Sequence, residues 1–129
     1  GLTGHVLEVE FDLKRIPSPW IAGESRRIAD IDHFLAALKE ASARYPYVVG
    51  WIDCLARGRS MGRGLLDAGR FASAEECGGR PLRSTRRITF PFDLPSWALG
   101  RASVRAFNLA YYWKHLPRVR PGCRHPDGF

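Results

Sequence analysis

Apolar and polar residues alternate between residues 5 and 13. Leu7, Val9, Phe11 and Leu13 fall on one side, Glu8, Glu10 and Asp12 on the other. A period of two predicts a half-buried strand. Pro17 and Pro19 end it, because proline cannot donate to a ladder. Residues 20–27 predict a second strand, interrupted by Gly23. The period then lengthens. Ile31, Phe34, Leu35, Leu38 and Ser42 recur at the spacing of one helical face, with Asp30 as N-cap and Asp32 in the first turn. Those features predict a helix to about residue 44. His33 sits beside that face as a surface or cap residue, with no histidine four residues away to share a metal.

Pro46 turns the chain, and residues 47–55 are rich in β-branched and aromatic side chains that suit a pleated surface. Tyr47, Val49, Trp51 and Asp53 share one face of this strand; Val48, Gly50, Ile52 and Cys54 share the other. The run ARGRSMGRG makes a basic hairpin tip, and residues 64–72 return as a strand weakened by Gly69. Residues 73–87 are polar and glycine-rich, an exposed loop. A short extended piece follows at 88–92, and then Asp93 and Pro95 supply helix-start chemistry. A helix over 96–116 is expected, bent at Gly100 and stopped by Pro117. Val104, Phe107 and Tyr111 form its most buried line, broadened by Leu99, Ala106 and Ala110. The tail from residue 117 lacks periodicity and reads as irregular. The order β, β, α, β, β, loop, α predicts an α+β fold. Its small, mainly antiparallel sheet would be part of a ferredoxin-like arrangement, with helix 30–44 on the Val48, Ile52 and Cys54 face. Something else must cover the opposite face.

Composition narrows this picture. The chain has 129 residues, enough for one domain with a modest core. Met61 is its only methionine, so the sequence is expected to begin inside a longer protein. Residues 1–16 alternate instead of forming the apolar block of a signal peptide, and no apolar run approaches membrane-spanning length. Three cysteines, Cys54, Cys77 and Cys123, are odd in number and lack CxxC spacing. That argues against a disulfide framework or a four-ligand zinc site, and reduced cysteines suggest a cytoplasmic setting. Cys123 and His125 alone do not make a metal site. A net charge of +7 can attract nucleic acid, an anionic membrane or a phosphorylated substrate. The arginines are scattered along the chain, however, which favours a solvated basic surface or one neutralised by further parts of a parent protein.

No convergent nucleophile, base and stabiliser can be assembled from these residues, and there is no GxGxxG, GxxxxGK[ST] or HExxH run. No catalytic and no metal-binding residue is assigned. Trp51, in mid-strand, reads as a core residue, with Val49 on the same face. Asp53 in a largely apolar strand needs a partner, since an unpaired buried carboxylate is costly. Arg57, Arg59 and Arg63 are the candidates, and a structural ion pair is the preferred reading.

Three segments carry a resemblance. WIDCLARGRSMGRGLLDAGRFA, GLTGHVLEVEFDLKRIPSPWI and LPSWALGRASVRAFNLAYYWKHLP resemble FAD-linked oxidases of the vanillyl-alcohol-oxidase type, particularly those related to decaprenylphosphoryl-ribose oxidase. The resemblance implies that residues 1–16 end a flavin-binding domain and that residues 17–129 are part of a substrate domain. It implies that Gly1, Leu2, Thr3 and Gly4 pass close to the flavin. It also implies that Val49, Trp51 and Lys114 face flavin or substrate. Trp113 departs from the pattern, which has arginine there, so Lys114 also reads as a plain helix-end cation. In such enzymes the flavin carries the hydride chemistry and the protein orients the substrate.

The expected function is therefore a fragment of an FAD-dependent oxidoreductase acting on an alcohol, as on a sugar. FAD belongs to the parent, and none is expected to bind this chain alone. The expected partners are the flavin-binding domain, the rest of the substrate domain and, in isolation, a second copy. Specific nucleic-acid binding is not expected. The rival is a small basic nucleic-acid-binding module that stacks bases on sheet aromatics, though no RNP-like run is present. A structural interaction domain is a third reading.

Overall fold

The computed structural model describes residues 3–78, 81, 100–115 and 119–126. In chain order these form β1 (Ile21–Ile28), α1 (Ile31–Arg44), β2 (Tyr47–Ile52), β3 (Gly64–Phe71), α2 (Arg101–Lys114) and β4 (Val119–Arg124). The strands make one antiparallel sheet in the order β2-β3-β1-β4. This is the α+β architecture expected, with the strand order of a split β-α-β unit: α1 carries the chain past the place that β3 later fills.

Asp30 fixes the start of α1. Its carboxylate accepts from the His33 backbone N–H at 3.0 Å and faces the His33 Nδ1 at 2.8 Å, so His33 has the cap role expected of it. One side of α1 packs on the sheet. Phe34 and Ala41 join Ile28, Leu66 and Ala68 in the core, flanked by Ala37, Leu38, Tyr45 and Val48. Leu35, expected on that side, is exposed instead. The stripe is centred on Phe34, Ala37, Leu38 and Ala41, because Phe34 needs the space above Gly50 and Gly64. A Cβ at Gly50 would lie 2.7 Å from the Phe34 ring.

Gly23, which weakened the expectation of β1, is what lets β1 sit against β3. It pairs with Gly69, and a Cβ there would lie 2.0 Å from the Ala68 carbonyl oxygen. Glycine accepts this approach and alanine does not.

Three expectations are overturned. Residues 5–13 form no strand, and Leu7 is 96 % exposed with Val9, Phe11 and Leu13 also outside. A strand is held by a neighbour's hydrogen bonds, and alternation alone supplies none. The tail is not irregular: β4 pairs with β1 along residues 119–124. Pro121 hid it from a strand reading, but β4 is the sheet's edge, where proline is tolerated. The cysteines are not all reduced either. Cys77 and Cys123, the latter on β4, form a disulfide across 46 residues, and Cys54 is free and exposed.

The expected helix 96–116 appears as α2; residues 96–99 and 116 lie outside the described residues. So do the extended piece 88–92, the helix-start residues Asp93 and Pro95, the stop at Pro117, and residues 79–80 and 82–87 of the polar loop. The buried line of α2 differs from that expected. Phe107 is 63 % exposed, and the inward side runs through Val104, Asn108, Tyr111, Tyr112 and His115. No helix among the described residues is long and apolar enough to cross a membrane.

Candidate functional site

Strand parity defines two sheet faces. Gly50, Leu66, Ala68 and Glu24 face α1; Trp51, Leu65, Asp67, Ser25 and Arg27 lie on the other face. Polar groups converge at one end of that second face. The Asp53 backbone N–H donates to the Arg63 carbonyl at 2.9 Å, closing the hairpin behind its tip. The Asp53 residue is 1 % exposed, yet every direction around its carboxylate is occupied. Oδ2 accepts from Arg63 Nη2 at 2.7 Å and Nε at 3.0 Å. Oδ1 accepts from Asn108 Nδ2 at 2.7 Å and from the Leu55 N–H at 3.1 Å. Burial pushes this carboxyl's pKa up. The Arg63, Asn108 and Leu55 hydrogen bonds outweigh burial and hold it below the usual carboxylate range. Arg63 is thus the partner selected from the three arginines considered, and the ion pair is structural. Asn108 was not foreseen. Its only signal was a polar residue one helical turn before Tyr112 on an otherwise aromatic stretch.

Aromatic rings continue the contact. Trp51 meets Tyr111 edge to face at 4.9 Å between centroids, and Phe107 stacks on Tyr111 at 5.9 Å. The Arg27 guanidinium lies 4.5 Å from the Trp113 ring centroid and 5.3 Å from that of Tyr112, and Arg63 approaches Tyr112 from 5.0 Å. These are cation–π distances. They place α2 on the face opposite α1, the face that the sequence reading left to be covered by something else. Further along, Asp67 accepts from Ser25 Oγ at 2.5 Å and pairs with Arg124 of β4.

Of the residues singled out from sequence, Trp51 is half-buried under Tyr111 and Val49 is 49 % exposed across from Asp67. Lys114 is exposed in the last turn of α2, where a cation suits the helix dipole. Gly1 and Leu2 lie outside the described residues. Thr3 and Gly4 form no cradle for a flavin, as nothing lies within 4 Å of a Cβ built on Gly4. Among the described residues the candidates are therefore not gathered at one centre. Cys123 is committed to its disulfide and no longer pairs with His125 as a ligand. No group of three or more potential metal ligands occurs among the described residues.

Beside the Asp53 clamp lies an open groove of about 770 Å³ between the hairpin tip and the first turns of α2. Leu55 and Leu109 supply apolar wall, and Arg57, Arg63, Arg101 and Arg105 supply charge. The described lining residues include no nucleophile–base pair.

Fold and surface together define a small α+β domain with one packed sheet face and one face carrying a polar clamp, an aromatic layer and a basic groove. No protein-family model matches the chain. The chain is similar to a Streptomyces coelicolor protein described as an uncharacterized protein in the mprA 5' region, with 31% identity over 134 aligned positions. The match covers 95% of this chain and 36% of that protein, so the chain spans about a third of the length of the curated relative it matches.

Proposed function

We propose that this chain is the substrate-side part of an FAD-dependent oxidoreductase that oxidises an alcohol, such as one on a sugar. Residues 1–16 would lead out of its flavin-binding domain, and Val49, Trp51 and Lys114 would face flavin or substrate. The observation that carries the reading is uncovered apolar pattern. Leu7, Val9, Phe11 and Leu13 alternate in sequence yet lie exposed, and Tyr47 and Val49 remain uncovered on the second sheet face. Both features favour burial against more protein, and a flavin-binding domain is the partner that the sequence resemblance supplies. The greater length of the Streptomyces relative supports the same reading.

The test is made on the longer polypeptide that carries this chain, expressed with FAD. It should purify yellow, and Trp51→Ala should lower kcat/KM for alcohol oxidation about tenfold or more with flavin content unchanged. A colourless protein that takes up no FAD sinks the proposal. The chain alone should leave FAD fluorescence unchanged on titration, since it holds only an edge of the cofactor site. In isolation it should dimerise through the uncovered face, and light scattering across a concentration series reads this; a strict monomer contradicts it. The cytoplasmic setting suits the free Cys54, whereas the Cys77–Cys123 bridge suits an oxidising compartment. Alkylation on cell lysis decides: three labelled thiols for the cytoplasm, one for the alternative.

The nucleic-acid rival gains little. In mid-strand β1 and β3 present Gly23, Ser25, Asp67 and Gly69 on their open face, and their one aromatic there, Phe71 at the end of β3, packs edge to face on Tyr47. A base-stacking sheet needs free aromatics there.

A further inference from the structure

The groove beside the hairpin tip concentrates positive charge, and no described residue in its wall carries negative charge to offset it. Arg57, Arg63, Arg101 and Arg105 line it, and among the described residues no aspartate or glutamate does. Arg63 is held by Asp53, and among the described residues Arg57 donates to the Cys54 carbonyl at 3.4 Å. Among the described residues no carboxylate pairs with Arg57, Arg101 or Arg105. Elsewhere among the described residues Arg26, Arg44, Arg70 and Arg124 each have an acidic partner and Arg27 lies against the Tyr112 and Trp113 rings, so no other part of the described surface gathers as many arginines without a carboxylate.

The placement costs stability. Arg101 and Arg105 are one helical turn apart, where like charges repel. Both lie in the first turns of α2, which contain no acidic residue in the first turn and whose N-cap, Gly100, supplies no side-chain cap. Cations are unfavourable at that end of a helix because the dipole is already positive there. Repulsion and dipole both fall away when an anion enters the groove. Three guanidinium groups without a carboxylate partner among the described residues offer forked donors that match phosphate oxygens.

We propose that this groove binds the diphosphate or triphosphate group of a small molecule. A single phosphate would leave most of the charge unmatched and most of the 770 Å³ empty. A nucleic-acid backbone fits less well, because strand-binding grooves interleave charge with aromatic stacking platforms. Here the remaining walls are Leu55, Leu109 and alanines. All of the site's residues belong to this chain, so it stands independently of the oxidoreductase reading.

The test uses the whole chain and inorganic triphosphate, followed by titration calorimetry at fixed ionic strength. Triphosphate should bind more tightly than phosphate or sulfate. Arg101→Ala with Arg105→Ala should weaken it about tenfold or more, the scale expected for lost charge-assisted hydrogen bonds. Arg101→Lys with Arg105→Lys keeps the charge but loses the fork, and should recover only part of the affinity. Lys39→Ala, on exposed α1 surface, should leave binding unchanged. All of these positions are exposed, and circular dichroism confirms that each variant is folded. Equal losses from Lys39→Ala and the groove variants would mean diffuse charge attraction and overturn the site. A single-stranded oligonucleotide that binds more tightly than triphosphate, and loses that affinity in the groove variants, would overturn the choice of ligand.

Discussion

The two faces of the sheet are held by different physics. Under α1 the contact is apolar: Phe34, Ala41, Leu66, Ala68 and Ile28 close a core in which glycines at 50 and 64 make room for one ring. Under α2 it is polar and aromatic, with Asp53, Arg63 and Asn108 at the centre and Arg27 against Tyr112 and Trp113 at the side. An apolar contact tolerates small displacements, because burial has no direction. A hydrogen-bonded clamp does not, since a buried charge that loses one partner keeps its desolvation cost. The first face should therefore carry stability, and the second should position α2 and the groove beside it.

Breaking each face in turn measures that difference. Phe34→Ala should have the largest effect, a loss of about 3–5 kcal/mol in urea or thermal unfolding, because it empties the centre of the α1 contact. Arg63→Ala should follow, at about 3 kcal/mol, by leaving the Asp53 carboxylate buried and short of its cation. Its signature should be local as well as global: hydrogen exchange should rise in α2 before it rises in α1. Equal rises in both helices would mean that the clamp belongs to one common core.

Reduction of Cys77–Cys123, or Cys77→Ser with Cys123→Ser, should cost about 2–4 kcal/mol by freeing a long loop in the unfolded chain. The loss should fall on β4 and leave the Phe34 environment unchanged by near-ultraviolet circular dichroism. Asn108→Ala should cost about 1–2 kcal/mol, one donor to a buried carboxylate, with increased exchange confined to α2.

Acid sharpens the comparison further. Hydrogen bonding to Arg26, then to Arg44, lowers Glu40 from its ordinary 4.5 to about 2, and Arg70 does the same for Glu76. Asp53 is also lowered, the Arg63 and Asn108 bonds overcoming burial. A carboxyl lowered by folding stabilises the fold above its unfolded value, and that stability is lost as pH falls through the folded one. Unfolding free energy should hold steady above about pH 4.5 and decline toward pH 2. Asp53→Asn should flatten this acid limb more than Glu40→Gln does, because water screens the exposed Glu40 pair. The reverse order in an acid titration would count against the buried clamp.

Much of the α1 side was legible in sequence. The period of Ile31, Phe34 and Leu38 and the Asp30 cap gave the helix, and alternation through Tyr47, Val49 and Trp51 gave the hairpin its faces. Asp53 announced a partner because a carboxylate in an apolar strand requires one. The errors share a cause. Residues 5–13 have the pattern of a strand but no neighbour within the described residues, and β4 has a neighbour but, with Pro121 and Gly122, no pattern.

Local order in the chain determined the helix caps, the strand parity and the demand for a cation near residue 53, since each depends on residues a few positions apart. The choice of Arg63 over Arg57 and Arg59 was made by the hairpin's closure, which sets Arg63 directly across from Asp53. Asn108 reaches the same carboxylate from 55 residues away, and Cys77 meets Cys123 from 46. The four arginines of the groove are spread from residue 57 to residue 105 and look scattered in one dimension. Only the docking of α2 against the hairpin gathers them, because pairings across such separations are set by which surfaces fit and not by sequence period.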